Sequence, residues 1–486
     1  MMTPTGEATA MLPTRDGHGK PIIVIGTQAI RDGMEEHCLE QALNARSSPG
    51  VTEVVLGPDA HQGFGAPVGC VMVSPTHIYP GPVGVDVKCS MSLLQLDLPV
   101  DQIRDKVVRR ALINAICDRI PTGAGHGQRS VPKSRQVSVS DVELAVCEGA
   151  SSEVCARLGL PAEWTQRCED SFHRDHNGET AGLHERLAHI KSVGIVRNYD
   201  DKMRQMGSCG SGNHFLESEA VEVTEKSSVT EVFGIKHEHV ASLLHCGSRG
   251  FGNILATNQF KILQQHFEVW SIPLPGGDKE LVYAPLGTPE ANLYLDDMAL
   301  AANFSTVNHL LIQALTLEAY QSVFPGVKGT LVYSISHNIA RQEIVDGRKV
   351  WVHRKGATRA FPRGHFSLKG TPFEATGHPI LLPGNPVSGS VIMVAEEEAK
   401  KSCYSVNHGA GRRMGRKAAD RQLDQKTVDA EFDTADILTN CRQYPKDEAP
   451  AAYKDFGEVI RSVEKAGLAR TVAKLKACFV IKDSGE

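Results

Sequence analysis

The stretch Phe64-Gly-Ala-Pro-Val-Gly-Cys-Val-Met-Val73, continued by Pro80-Gly-Pro-Val-Gly-Val-Asp-Val-Lys-Cys89 and Met91-Ser-Leu-Leu-Gln-Leu-Asp-Leu98, is rich in glycine and valine and carries little helical periodicity. It reads as buried strands broken by tight glycine turns, and not as a doubly wound α/β pattern. Upstream, the apolar run 21–25 reads as a strand and 34–45 as a helix ended by Ser47-Ser-Pro-Gly50. A strand over 51–56 then delivers Pro58-Asp59-Ala60-His61-Gln-Gly63, ionisable groups just past a strand end, where sites are commonly built. Downstream, an amphipathic helix is expected over 100–120, with Ile103, Val107, Leu112 and Ile116 as its apolar positions, and another over 141–158. Residues 125–136 read as a polar loop. The polar segment 168–183, with His173 and His176, reads as exposed or disordered. A helical insert is expected at about 253–324, its clearest start being Thr288-Pro289-Glu290, an N-cap with proline at N1. A helix followed by a strand accounts for 459–480. Residues 1–20 read as a flexible tail and 21–486 as a single domain.

The chain has 486 residues, 41% hydrophobic and 22% charged, enough for a large core. No apolar run approaches the length of a membrane helix, and the N-terminus has no signal pattern, so a cytoplasmic location is expected. The 12 cysteines form no C-x-x-C pair and are expected to be reduced. A net charge of −5 argues against a non-specific nucleic-acid coat, so any polyanion must be held locally.

One local candidate is Ser405-Val-Asn-His408-Gly-Ala-Gly-Arg-Arg413, a histidine at the mouth of a glycine-rich turn followed by two arginines. An imidazole can attack phosphorus or carry protons, glycine lets a phosphate approach backbone N–H groups, and guanidinium forks neutralise its oxygens. The theme of an apolar strand ending in a ligand-type residue beside glycine or a turn recurs at Asp86, Cys89, His214, His245 and His337. Each alone is an ordinary core residue. Together they are a mixed carboxylate, thiolate and imidazole set suited to Mn, Zn or Fe, and a two-metal clamp is a common way to stabilise charge at phosphorus.

The blocks Pro58-Asp-Ala-His61-Gln-Gly, Gly84-Val-Asp86-Val-Lys-Cys89, Gly210-Ser-Gly-Asn-His214-Phe-Leu-Glu217, His245-Cys-Gly-Ser-Arg249-Gly, His337-Asn338-Ile-Ala, Val352-His-Arg-Lys-Gly-Ala-Thr-Arg-Ala-Phe-Pro362 and His408-Gly-Ala-Gly-Arg412 resemble, in order, the RtcB-type RNA-splicing ligases. The resemblance implies an α+β fold of mixed and antiparallel sheets with flanking helices around a deep cleft holding a dinuclear metal site. It implies two Mn ions, and GTP-dependent joining of an RNA 3′-phosphate or 2′,3′-cyclic phosphate to a 5′-hydroxyl, in tRNA splicing or RNA repair. Whether an archease-type activator is needed stays open, and the lack of a long apolar run implies no membrane partner. By position, Asp86, Cys89, His214, His245 and His337 match metal ligands and His408 the guanylylated histidine. Asn213, Glu217 and Asn338 match nucleotide contacts. Pro383, Gly384 and Ser390 lie in a nucleotide loop, Gly409, Ala410 and Gly411 follow the histidine, and Tyr453 and Lys482 match guanine contacts. Arg249, Arg354, Lys355 and Arg412 are candidates for RNA or phosphate contacts.

The chain departs from the family pattern where Pro-Gly-Ser-Met-Gly-Thr is replaced by Pro383-Gly-Asn385-Pro386-Val387-Ser388. Proline removes an N–H donor, and valine cannot serve where glycine is needed, so nucleotide preference stays open. Alternative readings are a two-metal phosphoesterase acting on cyclic or terminal phosphates, and a non-catalytic RNA-end binding protein.

Overall fold

The computed structural model describes residues 2–125, 127 and 131–483, so part of the expected loop 125–136 lies outside the described residues. Two large sheets carry the molecule. The seven-stranded sheet runs, in spatial order, Thr3–Gly6, Thr9–Leu12, Ile22–Ile25, Glu53–His61, Val68–Ser74, Arg348–Lys355 and Asn338–Val345. All its pairings are antiparallel except that of Ile22–Ile25 with Glu53–His61. The eight-stranded sheet runs Gly329–Ser336, Ser90–Pro99, His239–Cys246, Phe215–Val223, Ala469–Ile481, Gly389–Ala395 and Pro379–Asn385, with Leu438–Thr439 pairing in parallel on Ala469–Ile481. This is the α+β architecture of antiparallel-dominated sheets with flanking helices, and the glycine-valine stretch supplies strands to both sheets.

Two helices fill the expected insert, Arg249–Trp270 and Pro289–Val323. The second is buried on nearly all sides. Its polar residues meet backbone: Asn308 donates to Gly247 O at 3.2 Å and Gln313 to Ser92 O at 3.1 Å. A helix apolar all round is a core element, and here its polar side chains satisfy strand ends that would otherwise be stranded in the interior.

Several expectations need correction. The supposed tail forms a hairpin: Ala10 and Leu12 turn into the core while Met11 faces out, the period-2 signal that its Gly/Pro/Thr-rich composition obscures. The helix expected over 100–120 divides into a 3-10 turn, Val100–Ile103, and a helix, Lys106–Cys117, because the Asp105 carboxylate caps a new start by accepting from Val107 N at 2.7 Å. The restart rotates Val107 outward to 75% exposure while Leu112 and Ile116 stay buried. The helix over 141–158 likewise divides into Val139–Glu148 and Ser152–Leu158, at Gly149 with φ 60°. The segment 168–183 is ordered: His173 is buried between Lys88 Nζ at 3.0 Å and Arg341 Nη1 at 2.9 Å, and His176 pairs with Asp296 at 2.9 Å. The final helix and strand are Phe456–Lys465 and Ala469–Ile481. No described helix is long and apolar enough to cross a membrane.

Candidate catalytic and metal site

The ends of both sheets converge on one cleft of about 400 Å³. Cys89 precedes the strand Ser90–Pro99, His245 lies on His239–Cys246 opposite Met91, and His214 precedes Phe215–Val223, so three adjacent strands bring their ligand-type residues together. Cys89 Sγ is 3.2 Å from His245 Nε2 and 3.4 Å from His214 Nε2. Asp86 Oδ2 is 2.9 Å from His214 Nε2, and His337 Nε2 is 3.2 Å from His245 Nε2. All five residues expected as ligands therefore meet.

Their chemistry fits a divalent cation. The donor atoms of Cys89, His214 and His245 lie within 4.8 Å of one another. Burial holds His245 and His337 well below the ordinary imidazole pKa, in the neutral form that ligates. The Cys89 thiol is pushed up by burial and by Asp86, and a cation is the counter-charge that would release its proton.

His408 stands beside this cluster, its ring centroid 4.5 Å from that of His337. Its Nδ1 lies 2.9 Å from Asp59 Oδ2 and 2.9 Å from Gly356 O. Both partners are acceptors, so the ring proton belongs on Nδ1 and Nε2 keeps its lone pair. The approach is tight: a Cβ on Gly411, at φ 75°, would sit 2.3 Å from Asp59 O, so only glycine lets the turn close over Asp59. Asp59 is fully buried and was not singled out from sequence, although it stands in the Pro58–Gly63 block at a strand end.

The nucleotide-side candidates Asn213, Glu217, Asn338, Pro383, Gly384, Ser390, Gly409, Ala410, Gly411, Tyr453 and Lys482 all line the same cleft. Asn338 is fixed by donating to Asp86 O at 3.3 Å and accepting from Gly356 N at 3.0 Å. A second residue missed from sequence, Glu448, organises the far end. It accepts from Tyr453 OH at 2.6 Å, pairs with Lys482 Nζ at 3.3 Å and Arg412 Nη1 at 3.2 Å, and also meets Arg416. Burial favours its neutral form, but Lys482 and Arg416 prevail and lower its pKa. No sequence signal marked it, since it lies in an ordinary polar run.

The divergent loop is a self-closed turn. Asn385 Oδ1 accepts from Val387 N at 3.1 Å and Ser388 N at 2.9 Å, and the positive φ falls on Gly389. Valine is thus accommodated without strain, and Pro383 O ties the loop to the histidine turn through Ala410 N at 3.1 Å.

The basic candidates separate. Arg354 is fully buried, with both terminal nitrogens on Glu343 at 2.7 and 2.8 Å, a structural pair with no access to RNA. Arg249 is buried and spends its guanidinium on Gly123 O at 2.6 Å. Lys355 and Arg412 do line the cleft. Burial lowers Lys355 to about 8, and Arg412 stacks over Tyr453 at 5.3 Å.

A family model described as "tRNA-splicing ligase RtcB" matches residues 41–483. The chain belongs to the RtcB family. Among curated RtcB proteins, the tRNA-splicing ligase of Pyrobaculum aerophilum is 33% identical over 484 residues, covering 95% of this chain and 94% of the relative. That of Thermococcus kodakarensis is 32% identical over 473 residues, covering 94% and 93%. The RNA-splicing ligase of Mycobacterium bovis is 32% identical over 456 residues, covering 91% of this chain and 100% of its own length.

Proposed function

We propose that this RtcB-family enzyme joins RNA 3′-phosphate or 2′,3′-cyclic phosphate ends to 5′-hydroxyl ends, as in tRNA splicing or RNA repair, using GTP and Mn through a GMP-histidine intermediate on His408. Membership of the tRNA-splicing ligase family supports an RNA ligase. The observation that carries the mechanism is the placement of His408, whose Nδ1 faces only acceptors beside the Cys89, His214 and His245 cluster.

In this reading Asp59 and Gly356 O hold the Nδ1 proton while Nε2 attacks the α-phosphorus of GTP. A P–N bond forms, the bond to pyrophosphate breaks, and Asp59 balances the charge that develops on the ring. GMP passes from His408 to the RNA 3′-phosphate, making an anhydride and returning the lone pair to Nε2. The 5′-hydroxyl then attacks that phosphate, GMP leaves, and the phosphodiester is complete; a cyclic end is first opened by water. Asp86, Cys89, His214, His245 and His337 would hold two Mn ions, which supply charge neutralisation at the phosphate oxygens. Tyr453, Lys482, Glu217 and Asn213 would hold the nucleotide.

Incubation with α-labelled GTP and Mn tests this. Acid-labile label on the wild type, lost in His408→Ala, is the expected result. No label, with hydrolysis of a cyclic phosphate end retained, would move the assignment to a two-metal phosphoesterase, and neither activity with RNA-end binding retained to a binding protein.

A further inference from the structure

The strand Phe215–Val223 turns alternate residues to one face, and along that face the surroundings change from wet to dry: Phe215 and Glu217 line the cleft, Glu219 is fully covered, and Val221 joins the core. Both carboxylate oxygens of Glu219 are buried without a well-formed hydrogen bond, the Ser390 hydroxyl being the donor group near them. A buried carboxylate with no well-formed hydrogen bond and no cation is too costly to hold. Glu217, two residues along on the same face, is the adjacent acceptor that can take a proton from it.

We propose that Glu219 carries a proton at neutral pH and donates it to the Glu217 carboxylate, so that Glu217 offers a fixed acceptor to the donor edge of a purine and Glu219 is a specificity-determining positioning residue. This rests on the reading that Glu217 contacts the nucleotide base. Lys482, which lines the cleft together with Glu217, favours the anion on Glu217. Burial raises Glu217 to about 7 and, with the Glu217 charge, raises Glu219 much further. The other groups facing the pair are few. Ser390 approaches Glu219 from Gly389–Ala395, Cys478 on Ala469–Ile481 feels the Glu219 charge, Tyr444 feels the Glu217 charge, Lys482 is shared with Glu448, and the paired positions are Ala241 and Leu243 on His239–Cys246 and Ala477 and Val480 on Ala469–Ile481. Guanine presents N–H donors at N1 and N2, which a carboxylate accepts. Adenine presents an acceptor at N1, which a carboxylate rejects. Without the Glu219 proton, Glu217 has only Lys482 to offset its burial, and it takes up a proton itself.

Wild type, Glu219→Gln and Glu219→Leu distinguish the outcomes. Infrared difference spectra at pH 7 should show a buried protonated-carboxyl band in the wild type that Glu219→Gln removes; its absence from the wild type overturns the proposal whatever the enzyme does. With α-labelled GTP, Glu219→Gln, whose amide still donates, should keep the half-maximal GTP concentration within about threefold, while Glu219→Leu, which leaves a buried acceptor unpaired, raises it about tenfold or more. That loss should shrink as pH rises and Glu217 ionises, and the preference for GTP over ATP should narrow. Glu219→Leu behaving as wild type, or Glu219→Gln behaving as Glu219→Leu, overturns the proposal. If the wild type takes no label at all, the nucleotide reading of the cleft and the specificity role fall together, and the infrared band alone decides the shared proton.

Discussion

A hydrogen bond between residues 349 positions apart, Asp59 and His408, decides which imidazole nitrogen is available for chemistry. Asp59→Asn keeps the shape but can present an N–H to Nδ1, driving the proton to Nε2. Labelling by GTP should fall at least ~100-fold with the fold intact by circular dichroism, the scale at which a wrongly protonated histidine costs an enzyme. The Glu219 carboxyl makes a separate prediction about stability. Its folded pKa is raised by burial and by Glu217, so between its unfolded pKa and its folded one the folded state binds more protons than the unfolded. Stability therefore falls as pH rises above the ordinary carboxyl range. In Glu219→Leu the decline in melting temperature from pH 5 to pH 8 should be shallower than in the wild type, and equal slopes would contradict it. The ligand-type residues were legible one by one in the sequence, because each sits where an apolar strand meets glycine or a turn. Asp59 stands in a block with the look of a site, but its pairing with His408 is not legible because that partner is far away in the chain, and Glu448 is not legible because a carboxylate in a polar run looks like any other.

Among the elements, Arg348–Lys355 shows how a basic cluster can mislead. Arg354 and Lys355 are neighbours, so they point to opposite faces of the strand: one into a buried ion pair with Glu343, the other into the cleft. Arg354→Ala leaves Glu343 buried, with Arg359 as its remaining cationic partner, and should cost on the order of 3–5 kcal/mol in chemical denaturation, the range for breaking a buried pair. Lys355→Ala should instead weaken RNA joining, with a smaller loss of stability because the buried Nζ also donates to Phe64 O and, at 3.1 Å, to Gly81 O. Apolar periodicity places helices over 34–45, 100–120 and 141–158; the first is the single helix Glu36–Arg46, and the division of the other two has no such signal. Asp105 and Ser151 act as caps only once the chain bends there, and a capping side chain inside an apolar period is easily taken for one more exposed position. The hairpin at residues 3–12 was hidden for a different reason: a strand of four residues gives too few alternations to stand out.

For the whole molecule, the antiparallel character and the shared cleft follow from the glycine-punctuated strands, while the way two sheets face one another had no local signal. The cluster at the meeting of their ends predicts coupling between folding and metal. Mn at about 100 times its dissociation constant should stabilise the folded state by ~2.7 kcal/mol, seen as a higher melting temperature that His245→Ala abolishes and a chelator reverses. The strand Ala469–Ile481 has one further consequence. It lies inside its sheet, between Phe215–Val223 and Gly389–Ala395, and passes directly to Lys482 in the cleft. During synthesis, more than 450 residues must emerge before that gap can be filled, and until then two strand edges stand open and the cleft lacks one wall. Until residue 481 has emerged, the cleft stays open and those two strand edges stay unpaired.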